Sequence, residues 1–183
     1  MNKRDARLLL QSNYAWSLGE GMLGPLFAVF TQRIGGDIFD ISWAWAVYLM
    51  LTGVLIMIVG KFSDQFIDKK KLMVIGYALN AVFTFSYLLV SSPMHLLLVQ
   101  IGLSVAAAFS YPTWETLFAR SNKKSEDGYG WGLADGGGRF FMGVAILIGG
   151  AIVTYGSFHL LFVVMGCLQV IATLRVAQIL KKK

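Results

Sequence analysis

Charge is scarce in this chain of 183 residues: only 14 % are Asp, Glu, Lys or Arg, against about 25 % in a soluble domain. Cysteine occurs once, as Cys167, so neither a disulfide framework nor a Cys-based zinc site can be built. Histidine occurs twice, as His95 and His159, and no H-E-x-x-H or G-x-S-x-G pattern is present. Ser157 and His159 lie too close in sequence to act as a nucleophile and its base. The glycine-rich stretch lacks G-x-x-x-x-G-K-[ST], and Gly128-x-Gly130-x-Gly132 has the wrong spacing for a dinucleotide loop. No small-x-small cleavage site follows the apolar run after Lys3, Arg4 and Arg7. These absences argue against an enzyme and point to no catalytic residue, metal or cofactor.

Apolar side chains, by contrast, make up 56 % of the sequence. Six membrane spans would use about 120 residues and leave about 60 for short loops and tails. The hydropathy pattern predicts an all-α polytopic membrane protein, one domain over 1–183, with spans at 12–32, 41–60, 72–91, 94–116, 129–154 and 158–178. Ser91-Ser92-Pro93 is so short a connection that the third and fourth spans must be antiparallel neighbours. In this topology fourteen Lys and Arg fall on one side and Arg33 alone on the other. That bias places both termini in the cytoplasm. The net charge of +6 is then topology and contact with the lipid bilayer, not a nucleic-acid surface.

Ionisable residues inside spans are costly, at least about 2.5–3.5 kcal/mol each at the centre, so they should face protein or a wet cavity. Glu20 sits in the first span, Glu115 near the cytoplasmic end of the fourth, and Asp135 and Arg139 in the fifth. Asp135 and Arg139, spaced i, i+4, can pair on one helix face. Glu20, Asp135 and Arg139 form either a polar cavity for solute or protons, which we take as the leading reading, or a closed salt-bridge cluster. A carboxylate alone at that depth could act as a proton site, its pKa raised by desolvation, and a neighbouring Arg139 would oppose that shift.

Half of the 20 glycines lie between Gly128 and Gly156. Gly132 and Gly136 form a small-xxx-small pair for close helix approach, and Gly136-Gly137-Gly138 is a place for bending or unwinding. Pro25 and Pro112 fall inside spans, where they kink helices and free carbonyls. Trp16, Trp43, Trp45, Trp114 and Trp131 fall near span ends and read mostly as interfacial anchors. Trp114 neighbours Glu115 and is a second candidate for the cavity wall.

The connection Gly60-Lys61-Phe62-Ser63-Asp64-Gln65-Phe66-Ile67-Asp68-Lys69-Lys70-Lys71 resembles the cytoplasmic signature of the major facilitator superfamily, roughly G-x-L-[AS]-D-[RK]-x-G-[RK]-[RK]. Gly60, Ser63, Asp64, Lys69 and Lys70 match it, while Gln65, Ile67 and Asp68 depart from it. Gln100, Gly102, Ala106 and Pro112 also look like that family's fourth helix, with Arg120 at its cytoplasmic end. The arginine expected earlier in that helix is missing.

The resemblance covers nearly the whole chain but only half of a usual family member. It implies two inverted three-helix repeats, with helices one, two, four and five at or beside the pathway. It also implies a cytoplasmic gate in which Asp64 accepts from Arg120 and from a helix N-terminus of a partner half. The function implied is a half-size transporter of a small solute, with H+ as a candidate coupling ion, in a prokaryotic plasma (inner) membrane. It would work with alternating access as a homodimer or with a second half. The competing readings are a non-transporting membrane scaffold and the N-terminal portion of a longer transporter.

Overall fold

The computed structural model describes the backbone of residues 3–66, 68–121 and 127–180, and the side chains of all of these but 3, 63–66 and 127. Among the described residues the chain is all-helical. Its helices are α1 (Lys3–Gly21), α2 (Leu26–Arg33), α3 (Ile38–Phe66), α4 (Lys69–Ser86), α5 (Pro93–Ser121), α6 (Asp127–Tyr155) and α7 (Phe158–Ala177), with 3-10 turns at Tyr87–Leu89 and Gln178–Leu180. Five stretches, corresponding to α3 through α7, are long and apolar enough to cross a membrane.

The stretch expected as the first span is two helices, α1 and α2, broken at residues 22–25. Pro25 has no N–H to give to the Gly21 carbonyl. Gly24 N–H donates to that carbonyl instead, at 3.3 Å, and closes a turn. The turn fits because Gly149 of α6 has no side chain; a Cβ there would collide with the Met22 carbonyl. Pro112, in contrast, sits inside an unbroken α5.

The expected weak point at Gly136-Gly137-Gly138 is also different: α6 runs unbroken through it. Tertiary contacts override the poor helix propensity here. The Tyr14 ring lies where a Gly137 Cβ would be. Tyr14 Oη donates to the Leu133 carbonyl at 2.7 Å, and Asn13 Nδ2 to the Ala134 carbonyl at 3.0 Å. Gly132 and Gly136 have nothing within 4 Å of a would-be Cβ, so their pair faces away from this bundle.

The packing has an internal regularity. α1 packs on α6 and α7, α5 packs on α3 and α4, and α4 packs on α7. Exchanging α1 with α5, α3 with α6, and α4 with α7 leaves this pattern unchanged. Local caps fix the ends: Asp37 and Asp40 each accept the other's backbone N–H before and within the first turn of α3, at 2.9 and 3.0 Å. Ser157 caps α7 by accepting from Leu160 N–H at 3.1 Å. Gly35, at φ 86°, ends α2 in a conformation that favours glycine.

Two apolar clusters fill the bundle. One gathers Phe27, Phe30, Tyr87, Leu96 and Phe162. The other gathers Leu9, Trp16, Met73, Phe118 and Val176 toward the basic end. Buried amides and hydroxyls, Asn80, Thr84, Gln100 and Gln169, supply the polar part of the interior.

Candidate functional site

Among the described residues, two pockets gather the polar side chains singled out above, a wide groove and a smaller pocket. The groove, of about 390 Å³, lies between α1, α5 and α6 and is lined by Asn13, Ser17, Trp114, Glu115, Asp135 and Arg139 among others. Asn13, Ser17 and Trp16 share the α1 wall because positions three and four apart stack on one face. Arg139 Nε donates to Asp135 Oδ2 at 3.1 Å, as the i, i+4 spacing predicts, with side chains 78 % and 69 % exposed. Trp114 donates its indole N–H to the Leu9 carbonyl at 3.2 Å and stacks on Phe118, centroids 4.8 Å apart. It is therefore held by the fold and lines the groove together with its neighbour Glu115. The groove offers both signs of charge and aromatic walls, groups that are able to pair and stack with a small polar molecule.

Glu20 does not line that groove. It lines a smaller pocket of about 70 Å³, with Tyr48, Asn80, Thr84, Gln100 and Gln169 among the other lining residues. The expected meeting of Glu20 with Asp135 and Arg139 is thus divided: the α6 pair stays together, and Glu20 faces another way. Trp16 connects the two places. Its side chain lines the groove, and its indole N–H donates to Glu20 Oε2 at 2.6 Å. Trp16 is only 5 % exposed, so it is a structural wall, not an interfacial anchor. Trp45 is exposed and lines the smaller pocket. Trp43 is exposed and stacks on Phe39, whereas Trp131 meets Phe118 edge-on at 5.2 Å.

Gln169, Asn80, Gln100 and Tyr48 were not singled out as site residues in the sequence because a census of formal charges passes over amides and phenols. The available signal was a single amide in an otherwise apolar run, since a buried amide must find partners. The Gln169 amide Nε2 donates to the Trp16 carbonyl at 3.2 Å.

At the basic end, Asp68 is the cap of α4 and accepts from Lys70 N–H at 3.0 Å. The Lys70 ammonium donates to the Ile179 carbonyl at 3.5 Å, tying the start of α4 to the 3-10 turn Gln178–Leu180. Arg120 is exposed near the end of α5. The side chain of Asp64, the centre of the expected gate, lies outside the described residues. Among the described residues no group of three or more His, Cys, Asp or Glu is placed to hold a metal ion.

Comparison with known proteins agrees with this architecture. A family model described as Major Facilitator Superfamily matches residues 15–182. An uncharacterized MFS-type transporter of Methanocaldococcus jannaschii is 24 % identical over 163 residues, which cover 89 % of this chain and 42 % of that protein. The chain therefore spans less than half the length of that curated relative.

Proposed function

The chain belongs to the Major Facilitator Superfamily, and from that premise we propose that it is one six-helix half of an alternating-access transporter for a small polar solute. Its membrane is a prokaryotic plasma membrane, with both termini cytoplasmic. α1 and α2 together make the first crossing, and the two three-helix sets are inverted repeats. The exchange symmetry of the packing supports the repeats. The 14-to-1 distribution of basic residues supports the orientation.

The observation behind the transport reading is the groove of Asn13, Ser17, Trp114, Glu115, Asp135 and Arg139, open along one side of the bundle. A second six-helix unit across that side would close it into a pathway. α3 and α6 support such a unit, since they are the least buried of the long apolar helices. We take the second unit to be a second copy, which places each groove residue twice around a two-fold axis. The 42 % share of the relative fits a half-length unit equally well when the other half is on the same chain. Asp64 and Arg120 are the gate of this reading.

Purified protein reconstituted in proteoliposomes tests it with a panel of amino acids, organic anions and sugars. Uptake of one solute that falls at least tenfold in Arg139→Ala and Glu115→Gln supports the groove as the pathway. Uptake unaffected by both changes removes the groove from the pathway.

A further inference from the structure

We propose that Glu20, Gln169 and the carboxyl end of α1 form a binding site for one Na+ ion, in a small pocket of the bundle separate from the solute groove. Three independent features converge on the pocket. α1 ends at Gly21, one residue after Glu20, and its last turn holds no basic residue. A helix carboxyl end carries partial negative charge, and broken helices place such ends and freed carbonyls where cations bind. Ionised, Glu20 adds a full negative charge at the same place, and no Lys, Arg or His is among the pocket-lining residues.

The third feature is an unpartnered acceptor. Gln169 is 1 % exposed and lines the cavity. Its Nε2 donates to the Trp16 carbonyl, which accepts only, so the oxygen is the atom left over. That Oε1 is buried and accepts no hydrogen bond. A buried carbonyl oxygen without a donor costs about 1–3 kcal/mol, and a cation would satisfy it together with the carboxylate.

The chemistry selects the ion. Carboxylate, amide carbonyl and hydroxyl oxygens are hard ligands, which excludes soft metals. One carboxylate balances one positive charge, whereas calcium sites gather several carboxylates among six to eight oxygens. The titratable groups around Glu20 are phenols: Tyr48 from α3, Tyr77 from α4, Tyr87 from the following 3-10 turn and Tyr111 from α5. A proton would need one acceptor only. The presence of Glu20, Gln169, Gln100, Asn80 and Thr84 around one cavity matches a multi-oxygen shell. Through the Trp16–Glu20 hydrogen bond, ion occupancy would reach the groove wall. That coupling rests on the transport reading, but binding itself does not.

The test uses the full chain in detergent or nanodiscs, titrated with NaCl against KCl and choline chloride at constant ionic strength. Na+ should give a saturable change in tryptophan fluorescence and raise the melting temperature by about 5 °C at saturation. Potassium and choline should not. Glu20→Gln should abolish the response, and Gln169→Met should weaken apparent Na+ affinity at least tenfold. Glu20→Asp, which keeps the charge, should retain a Na+-specific response and controls for misfolding. No difference between Na+ and K+ in the wild type overturns the site, as does a response that survives in Glu20→Gln. A stability change that follows pH identically in both salts also overturns it and marks Glu20 as a proton site. The readout needs no solute and no second unit, so it stands or falls separately from transport.

Discussion

Trp16 donates its indole N–H to the Glu20 carboxylate at 2.6 Å, one turn apart on α1. The bond is charge-assisted, and the indole is also wedged against Tyr77, centroids 4.7 Å apart. Replacing Trp16 with Phe keeps most of the ring but removes the donor. Hydrogen bonds to charged groups contribute about 1.5–3 kcal/mol, and an unsatisfied buried partner adds to the cost. Trp16→Phe should therefore lower stability by about 2 kcal/mol in detergent unfolding curves. Trp16→Phe/Glu20→Gln should recover part of that loss, and a fully additive double mutant would show that the bond contributes nothing.

Two glycines of α6 should behave oppositely. A side chain at Gly149 collides with the Met22 carbonyl at the α1–α2 break, whereas Gly143 has nothing within 4 Å. Gly149→Val should unfold or severely destabilise the bundle, because backbone cannot move aside as a flexible side chain can. Gly143→Leu should change stability by less than about 0.5 kcal/mol and yet weaken association with a second unit. Thermal unfolding and chemical cross-linking in membranes separate the two effects.

The helix that carries each ionisable residue was legible in the sequence, but the pocket each one lines was not. Hydropathy outlines the five long apolar helices α3 to α7, whereas the expected first span, 12–32, merges parts of α1 and α2. Asn13, Ser17 and Glu20 share one face of α1 by their i, i+4, i+7 spacing, yet Asn13 and Ser17 line the groove and Glu20 lines the other pocket. Pro25 announced a disturbance, but whether the helix kinks or breaks depends on Gly149, over a hundred residues away, and its close approach to Met22. The glycine triplet pointed to a weak α6, yet Tyr14 and Asn13 from another helix brace it. In each case the deciding contact is long-range, where local propensity is silent.

Asp68 departs from the family signature and has a structural task, accepting from Lys70 N–H as the cap of α4. Removing such a cap costs about 1 kcal/mol. Asp68→Ala should reduce stability by that amount, and Asp68→Ser or Asp68→Asn should restore most of it. Equal losses in all three, measured by thermal unfolding, would show that the capping bond is not what Asp68 contributes.

The Asp135–Arg139 pair should matter for transport and hardly at all for folding. Both side chains are mostly exposed on this bundle, and exposed i, i+4 pairs stabilise by about 0.3–0.5 kcal/mol. Arg139→Ala should leave the melting temperature within about 2 °C of wild type while solute uptake falls at least tenfold. Arg139→Lys should restore charge without the planar, forked geometry and recover only part of the uptake. The comparison is informative because a purely structural pair would move both readouts together. A large stability loss in Arg139→Ala with transport per folded molecule unchanged would make the pair a brace between helices, and the solute would have to be held by Glu115 and the aromatic wall instead.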